Sequence, residues 1–250
     1  MEHTLPASEY NRTSFTLEGG HGRGSSNPDF QPALHVGMEA PTFPLLDLDG
    51  QTVTLEEFRG KKHVVVEFGC ITAPVFVNDL TALDRLYNRF KGEAVQFLII
   101  YAREAHPGAN YSAHASMEQK LTHARDLKRF ETVEIPIWVD SVDGRSHRTY
   151  GTAASPVYII DKEGTLVYKA TWLIAEQLET ALKGLLDADR AKTQGARMTR
   201  RVYSETLLPV RTNYTVHERV FERAGAGARE DVKKAFGVDP VELARKASQR

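Results

Sequence analysis

Four side chains carry most of the chemistry open to this 250-residue sequence: Cys70, Glu104, His106 and His114. Cys70 is the sole cysteine, which excludes an internal disulfide and a two-cysteine C-x-x-C cycle. Any thiol redox chemistry would therefore need an external thiol to supply the second sulfur. Cys70 follows an apolar run and precedes Ile71, Thr72, Ala73 and Pro74, so it sits between a strand and a helix. The unpaired amides and partial positive charge of a helix N-terminus stabilise a thiolate, and a protonated His106 or His114 nearby would add to the effect. The same cysteine fits equally well as a small apolar filler under the loop, because free cysteine is among the most buried residue types. Both readings stay open. His106 and His114 lack a compact H-x-x-x-H spacing, and neither a metal nor another cofactor is expected.

The elements that must position these groups are legible from periodicity. His63 to Phe68 (HVVVEF) and Val95 to Tyr101 (VQFLIIY) read as buried strands, and Ile135 to Val139 as a third. After the Cys70 loop, Phe76, Leu80, Leu83, Leu86, Tyr87 and Phe90 recur at mostly three- and four-residue spacing and predict a helix, with Pro74 in its first turn and Thr72 as cap. Ser116 to Phe130 predicts an amphipathic helix with Ser116 and Gln119 in capping-box register. Asp49-Gly50 marks a hairpin, and Thr54 with Glu57 a capped helical turn. Val157 to Ile160 and Thr165 to Lys169 predict a second hairpin, and Ala175 to Leu186 a closing helix. The order β-α-β-α-β, hairpin, helix implies an α/β fold with a mixed sheet covered on both faces.

Hydrophobic residues make up 41% of the chain and charged residues 26%, which is the balance of a globular protein that needs no metal or disulfide to hold its core. No apolar run approaches the ~20 residues that span a bilayer, and the first residues lack a basic and apolar leader pattern, so a cytoplasmic location is expected. The net charge of -1 hides an asymmetry: residues 190–250 carry 14 Lys and Arg against 7 Asp and Glu, and the rest is correspondingly acidic. Opposite signs favour docking of this tail on the body or on a second chain. Its scattered arginines with few aromatics read as a solvated or subunit-contact surface, and argue against nucleic acid.

In its motifs the sequence resembles the iodothyronine deiodinases, a branch of the thioredoxin-fold redoxins. Phe68-Gly-Cys-Ile-Thr-Ala-Pro-Val-Phe76 is similar to the family loop in which an FG pair is followed by Thr, a selenocysteine or cysteine nucleophile, and Pro. Glu104-Ala-His106 matches the family's EAH, His114-Ala-Ser-Met-Glu118 its H-x-S-L-E, and His147 to Gly151 and Val157 to Asp161 its later segments. The resemblance implies a thioredoxin-like domain over residues 35–188; the Gly-rich, weakly periodic residues 1–34 read as a disordered arm, and residues 189–250 as a basic C-terminal extension that could assemble the chain into an oligomer. The resemblance also implies a cis peptide before Pro156, a substrate cleft around Pro74, Ser155 and Pro156, and a proton-relay group of Glu104, His106 and His114 beside the loop, where Thr72 also counts among the site residues. At the family's nucleophile position stands Ala73, whose methyl has no lone pair and cannot attack iodine, peroxide or disulfide. Two functions follow as expectations: a thiol oxidoreductase using Cys70 with an external thiol reductant, or a non-catalytic thioredoxin-fold module for binding or assembly.

Overall fold

The computed structural model describes residues 7–15, 34–195, 204–206 and 213–248. Its centre is strand β3 (His63–Gly69), buried along its whole length and parallel to β4 (Val95–Tyr101), with β5 (Ile137–Val139) parallel beyond β4. On the other side β3 pairs antiparallel with β6 (Val157–Ile160), which hairpins to β7 (Leu166–Ala170). The short strands β1 (Leu45–Leu46) and β2 (Thr52–Val53) extend the β5 side, and β8 (Ser204–Thr206) adds in parallel to β7, making an eight-stranded mixed sheet in the order β2-β1-β5-β4-β3-β6-β7-β8.

Period-two alternation divides the core. Val65, Phe97, Ile99 and Tyr101 face helices α2 (Pro74–Phe90), α3 (Met117–Glu131) and α5 (Ala175–Thr193), whereas Val64, Val66, Phe68, Leu98 and Ile100 pack with Tyr150, Tyr158 and Trp138 on the opposite face. Phe76, Leu80, Leu83, Leu86 and Phe90 of α2 are all buried, each worth about 1.5–3 kcal/mol of removal from water. Gly69 makes the strand-to-helix connection possible, because a side chain there would overlap the Phe76 ring.

Several expectations give way to the structure. Thr72 does not cap α2: the N-cap is Ala73, without a side-chain bond, because the Thr72 hydroxyl is engaged elsewhere. No cis peptide occurs among the described residues, so the Ser155-Pro156 bond is trans, the cheaper isomer, and the Pro156 carbonyl accepts the Phe68 N–H at 3.1 Å. Within the arm expected over 1–34, residues 7–15 and Leu34 are described. Helix α1 (Ala7–Tyr10) ends in a buried tyrosine whose hydroxyl meets His147 Nδ1 at 2.8 Å and accepts the Arg103 N–H at 3.2 Å; residues 1–6 and 16–33 lie outside the described residues. Helix α4 (Arg145–Tyr150) was not anticipated either.

The C-terminal residues build three helices, α6 (Tyr214–Ala224), α7 (Ala228–Phe236) and α8 (Pro240–Ser248), around a small core of Phe221, Ala224, Ala228, Val232 and Val241. Arg219 and Arg223 of α6 pair with Glu131 at the end of α3, at 2.9 and 2.6 Å. The loop after β4 receives the α6–α7 connection through two backbone bonds, Ala109 N–H to the Ala226 carbonyl and Asn110 N–H to the Ala224 carbonyl, both 3.0 Å. No helix among the described residues is long and apolar enough to cross a membrane.

Candidate functional site

The motif loop, residues 70–73, leaves β3 and enters α2 beside the C-terminal end of β4. Tyr101, the last residue of β4, pairs in register with Gly69, which puts its ring on the helical face beneath the loop. Its hydroxyl accepts the Ile71 N–H at 3.2 Å and donates to Glu104 Oε1 at 2.6 Å. The Thr72 hydroxyl donates to the other carboxylate oxygen, also at 2.6 Å, and accepts the His106 N–H at 3.2 Å. Glu104 thus ties loop, strand end and following turn into one buried network.

Two imidazoles complete the network, and one of them differs from the sequence expectation. His114 Nε2 and His123 Nδ1 each lie 3.0 Å from Glu104 Oε1 and 3.2 Å from one another. Burial by itself would push the Glu104 carboxyl up, but the hydrogen bonds from His114 and His123 outweigh it and hold the group well below the usual carboxylate range. Burial also pulls His114 below its ordinary value, against the opposing pull of Glu104. His106 contributes only its backbone to this group. Its half-buried ring turns away from Glu104 and packs against Phe15 and Phe221, with centroids 4.7 and 5.2 Å away, where burial and then His217 push it down to about 3. In place of the expected relay of Glu104, His106 and His114 stands a network of Thr72, Tyr101, Glu104, His114 and His123.

Cys70 lies under the loop, 1% exposed. Its Sγ accepts the Ala105 N–H at 3.1 Å and touches the Thr72 hydroxyl at 3.6 Å. Burial, reinforced by the Glu104 charge, pushes the thiol far above its ordinary range, in the direction of the apolar-filler reading and against that of a thiolate stabilised by the helix N-terminus. Ala73 is also 1% exposed. Of the residues expected to form the cleft, Pro74 lines a cavity, but Ser155 and Pro156 are buried away from it. The Ser155 hydroxyl donates to Glu67 Oε1 at 2.8 Å, answering a core carboxyl that burial and then Asp79 raise well above its ordinary range.

The cavity measures about 350 Å³ and opens over the first turn of α2 and the Glu104–Pro107 turn. Its wall is largely apolar, with Phe15, Val75, Trp172, Phe221 and Phe236 among the contributors. His106 and Trp172 line it, and His106 Nδ1 and Trp172 Nε1 are buried atoms without a hydrogen-bond partner among the described residues. Sequence reasoning missed Tyr101, His123 and Trp172. His123 had a usable signal: it lies three residues before Asp126 but four before Leu127, on the buried face of α3 that also carries Lys120 and Ala124.

The iodothyronine deiodinase family profile matches residues 23–172. Relatives include thyroxine 5-deiodinase of Gallus gallus (34% identical over 146 residues, covering 54% of this chain and 56% of the relative) and of Ovis aries (32% over 152 residues, 56% and 51%). Type I iodothyronine deiodinase of Xenopus laevis is 30% identical over 143 residues, covering 54% and 56%. The chain thus spans about half the length of the curated relatives it matches. Among solved structures, a hypothetical protein from Sinorhizobium meliloti 1021 superimposes with a TM-score of 0.53 at 19% identity, covering 71% of this chain and 91% of that one. A putative thiol:disulfide interchange protein DsbE from Chlorobium tepidum gives 0.51 at 18% identity, covering 62% and 99%, a likeness of fold alone. On the family match and the shared sheet, the chain belongs to the iodothyronine deiodinase family and has its thioredoxin-like fold.

Proposed function

We propose that this member of the family binds a small apolar or aromatic molecule in the cavity over α2 and does not reduce it through its own thiol. The observation that carries this reading is the cavity itself, about 350 Å³ and walled by aromatic side chains, Phe15, Trp172, Phe221 and Phe236 among them. His106 Nδ1 and Trp172 Nε1, on residues of that wall, have no hydrogen-bond partner among the described residues and expose almost no surface, so a ligand's polar group reaches them only after a small rotation of either ring. The indole N–H donates, and the imidazole nitrogen donates or accepts according to its tautomer.

The redox reading requires Cys70 as nucleophile, an external thiol to resolve it, and His106 to move a proton. Three features weigh against it. The Cys70 thiol is raised by burial and its sulfur already accepts a backbone N–H; Ala73 offers no nucleophile; and the His106 ring packs against the Phe15 and Phe221 rings and makes no hydrogen bond to the sulfur.

Thyroxine, named in the relatives' activity, is a suitable aromatic probe. Titrated into the full chain, it should quench tryptophan fluorescence saturably, Trp172→Phe should abolish most of the quenching, and no iodide should appear with dithiothreitol present. Iodide release that disappears in Cys70→Ser would establish the redox reading instead. Absence of saturable quenching by thyroxine and by 8-anilinonaphthalene-1-sulfonate alike would dismiss the binding reading.

A further inference from the structure

The Glu104, His114 and His123 cluster is built from three separate pieces of chain: the turn after β4, the loop before α3, and the buried face of α3 itself. Its three facing atoms, Glu104 Oε1, His114 Nε2 and His123 Nδ1, form a nearly equilateral triangle with sides of 3.0, 3.0 and 3.2 Å. As hydrogen bonds, each neutral imidazole would use its one N–H on Glu104 Oε1. With those protons on the other ring nitrogens, the same three atoms present lone pairs to one common point. A single electron-pair acceptor at the centre would be answered by all three atoms at once.

We propose that Glu104 Oε1, His114 Nε2 and His123 Nδ1 form a binding site for a divalent first-row transition metal. An ion placed about 2.1 Å from each atom would see ligand–metal–ligand angles of roughly 90–100°, which is one face of an octahedron. Two imidazoles and one carboxylate on such a face suit Fe²⁺ or Co²⁺ better than an ion that insists on tetrahedral angles. The carboxylate is already oriented by outer partners of the kind metal sites use, the Tyr101 hydroxyl on Oε1 and the Thr72 hydroxyl on Oε2. The Glu104 and His114 side chains have no exposed surface, whereas the His123 side chain keeps 8% of its surface exposed, so an ion would enter past His123. Spacing in sequence concealed the site, because the second histidine ligand is nine residues from the first. The site does not rest on the ligand-binding reading, since it involves neither Trp172 nor the His106 ring.

Cobalt(II) is the probe. The full chain, stripped with chelator and dialysed, is titrated with CoCl₂ and followed by calorimetry and by visible absorption. The expected result is one Co²⁺ per chain, a ligand-field band, and a rise in melting temperature. His123→Asn should weaken binding by at least about tenfold, whereas His35→Asn, changing an exposed histidine elsewhere, should leave it unchanged. Since the His123 variant could misfold, histidine footprinting of the unaltered chain supplies a second reading: Co²⁺ should protect His123 from diethylpyrocarbonate and leave His35 reactive. No stoichiometric uptake, binding that survives His123→Asn in a folded protein, or no protection of His123 would each overturn the site.

Discussion

Lys120 offers a sharp test of how the buried charges of this fold are organised. Its side chain has no exposed surface, its Nζ donates to the Ser141 carbonyl at 2.9 Å, and the ammonium lies 5.8 Å from the Tyr10 ring centre. Burial pulls its pKa down to about 8, opposed mainly by the Asp140 carboxylate. An unfolded lysine titrates near 10.4, so between about pH 8 and 10.4 the unfolded chain holds a proton that the folded chain has released. The contribution of Lys120 to stability therefore rises with pH through that interval, by about 3 kcal/mol in all. Tyrosine ionisation acts in the opposite sense near pH 10 and above, and the raised Cys70 thiol does so from about pH 8.5 in parent and variant alike, so the difference between the two proteins is read between pH 7.5 and 9.5, where Lys120 contributes about 2 kcal/mol. Urea unfolding of the parent and of Lys120→Met across this window checks the sign. The parent should gain stability with pH relative to the variant, whatever the variant's offset at pH 7.5 from leaving the Ser141 carbonyl without its donor. Parallel curves for the two proteins would refute the buried, depressed lysine.

Three further outcomes follow from the loop and its surroundings. Native Cys70 should react with a disulfide reagent at pH 8 at least about a hundredfold more slowly than in urea, an opening cost of about 3 kcal/mol, as stopped-flow thiol assays can read. In a Cys70→Ser background, Ala73→Cys should titrate about one unit below ~8.5, because the N-cap of α2 carries no other side-chain acceptor; an alkylation rate profile centred at or above 8.5 would contradict this. Gly108→Ala should loosen the C-terminal helices by about 2 kcal/mol, since the added methyl would overlap the Ala224 carbonyl, and limited proteolysis should release α6–α8 faster.

Elements with strong local signals were legible in the sequence. The β-branched run at His63–Phe68 is a central strand, the Thr54–Glu57 capping box is formed, and Ser116 caps α3 by accepting the Gln119 N–H. Features decided by distant partners were not. Thr72 looks like a helix cap until the Glu104 carboxylate competes for its hydroxyl, and His106 looks like a relay member until Phe15 and Phe221, from opposite ends of the chain, enclose its ring. His123 resembles any polar residue on an amphipathic helix until α3 is laid against the end of β4. Tyr10 sits in a segment of low apolar content, and nothing local announces that Arg103 and His147 await it. Helix α4, six residues long, is shorter than two periods of its own pattern.

The stacking of Phe15 on Phe236, 5.7 Å between ring centres, joins two points separated by nearly the whole chain. The central sheet pairs β3, β4, β5, β6 and β7, all complete by Ala170, but the cavity wall waits for Phe221 and Phe236. During synthesis the chain thus acquires its fold before it acquires its pocket. Occupancy and docking of α6–α8 are consequently linked equilibria: a ligand at a hundred times its dissociation constant would hold the terminal helices in place by about 2.7 kcal/mol, and a clip that frees them would erase binding while leaving the sheet standing.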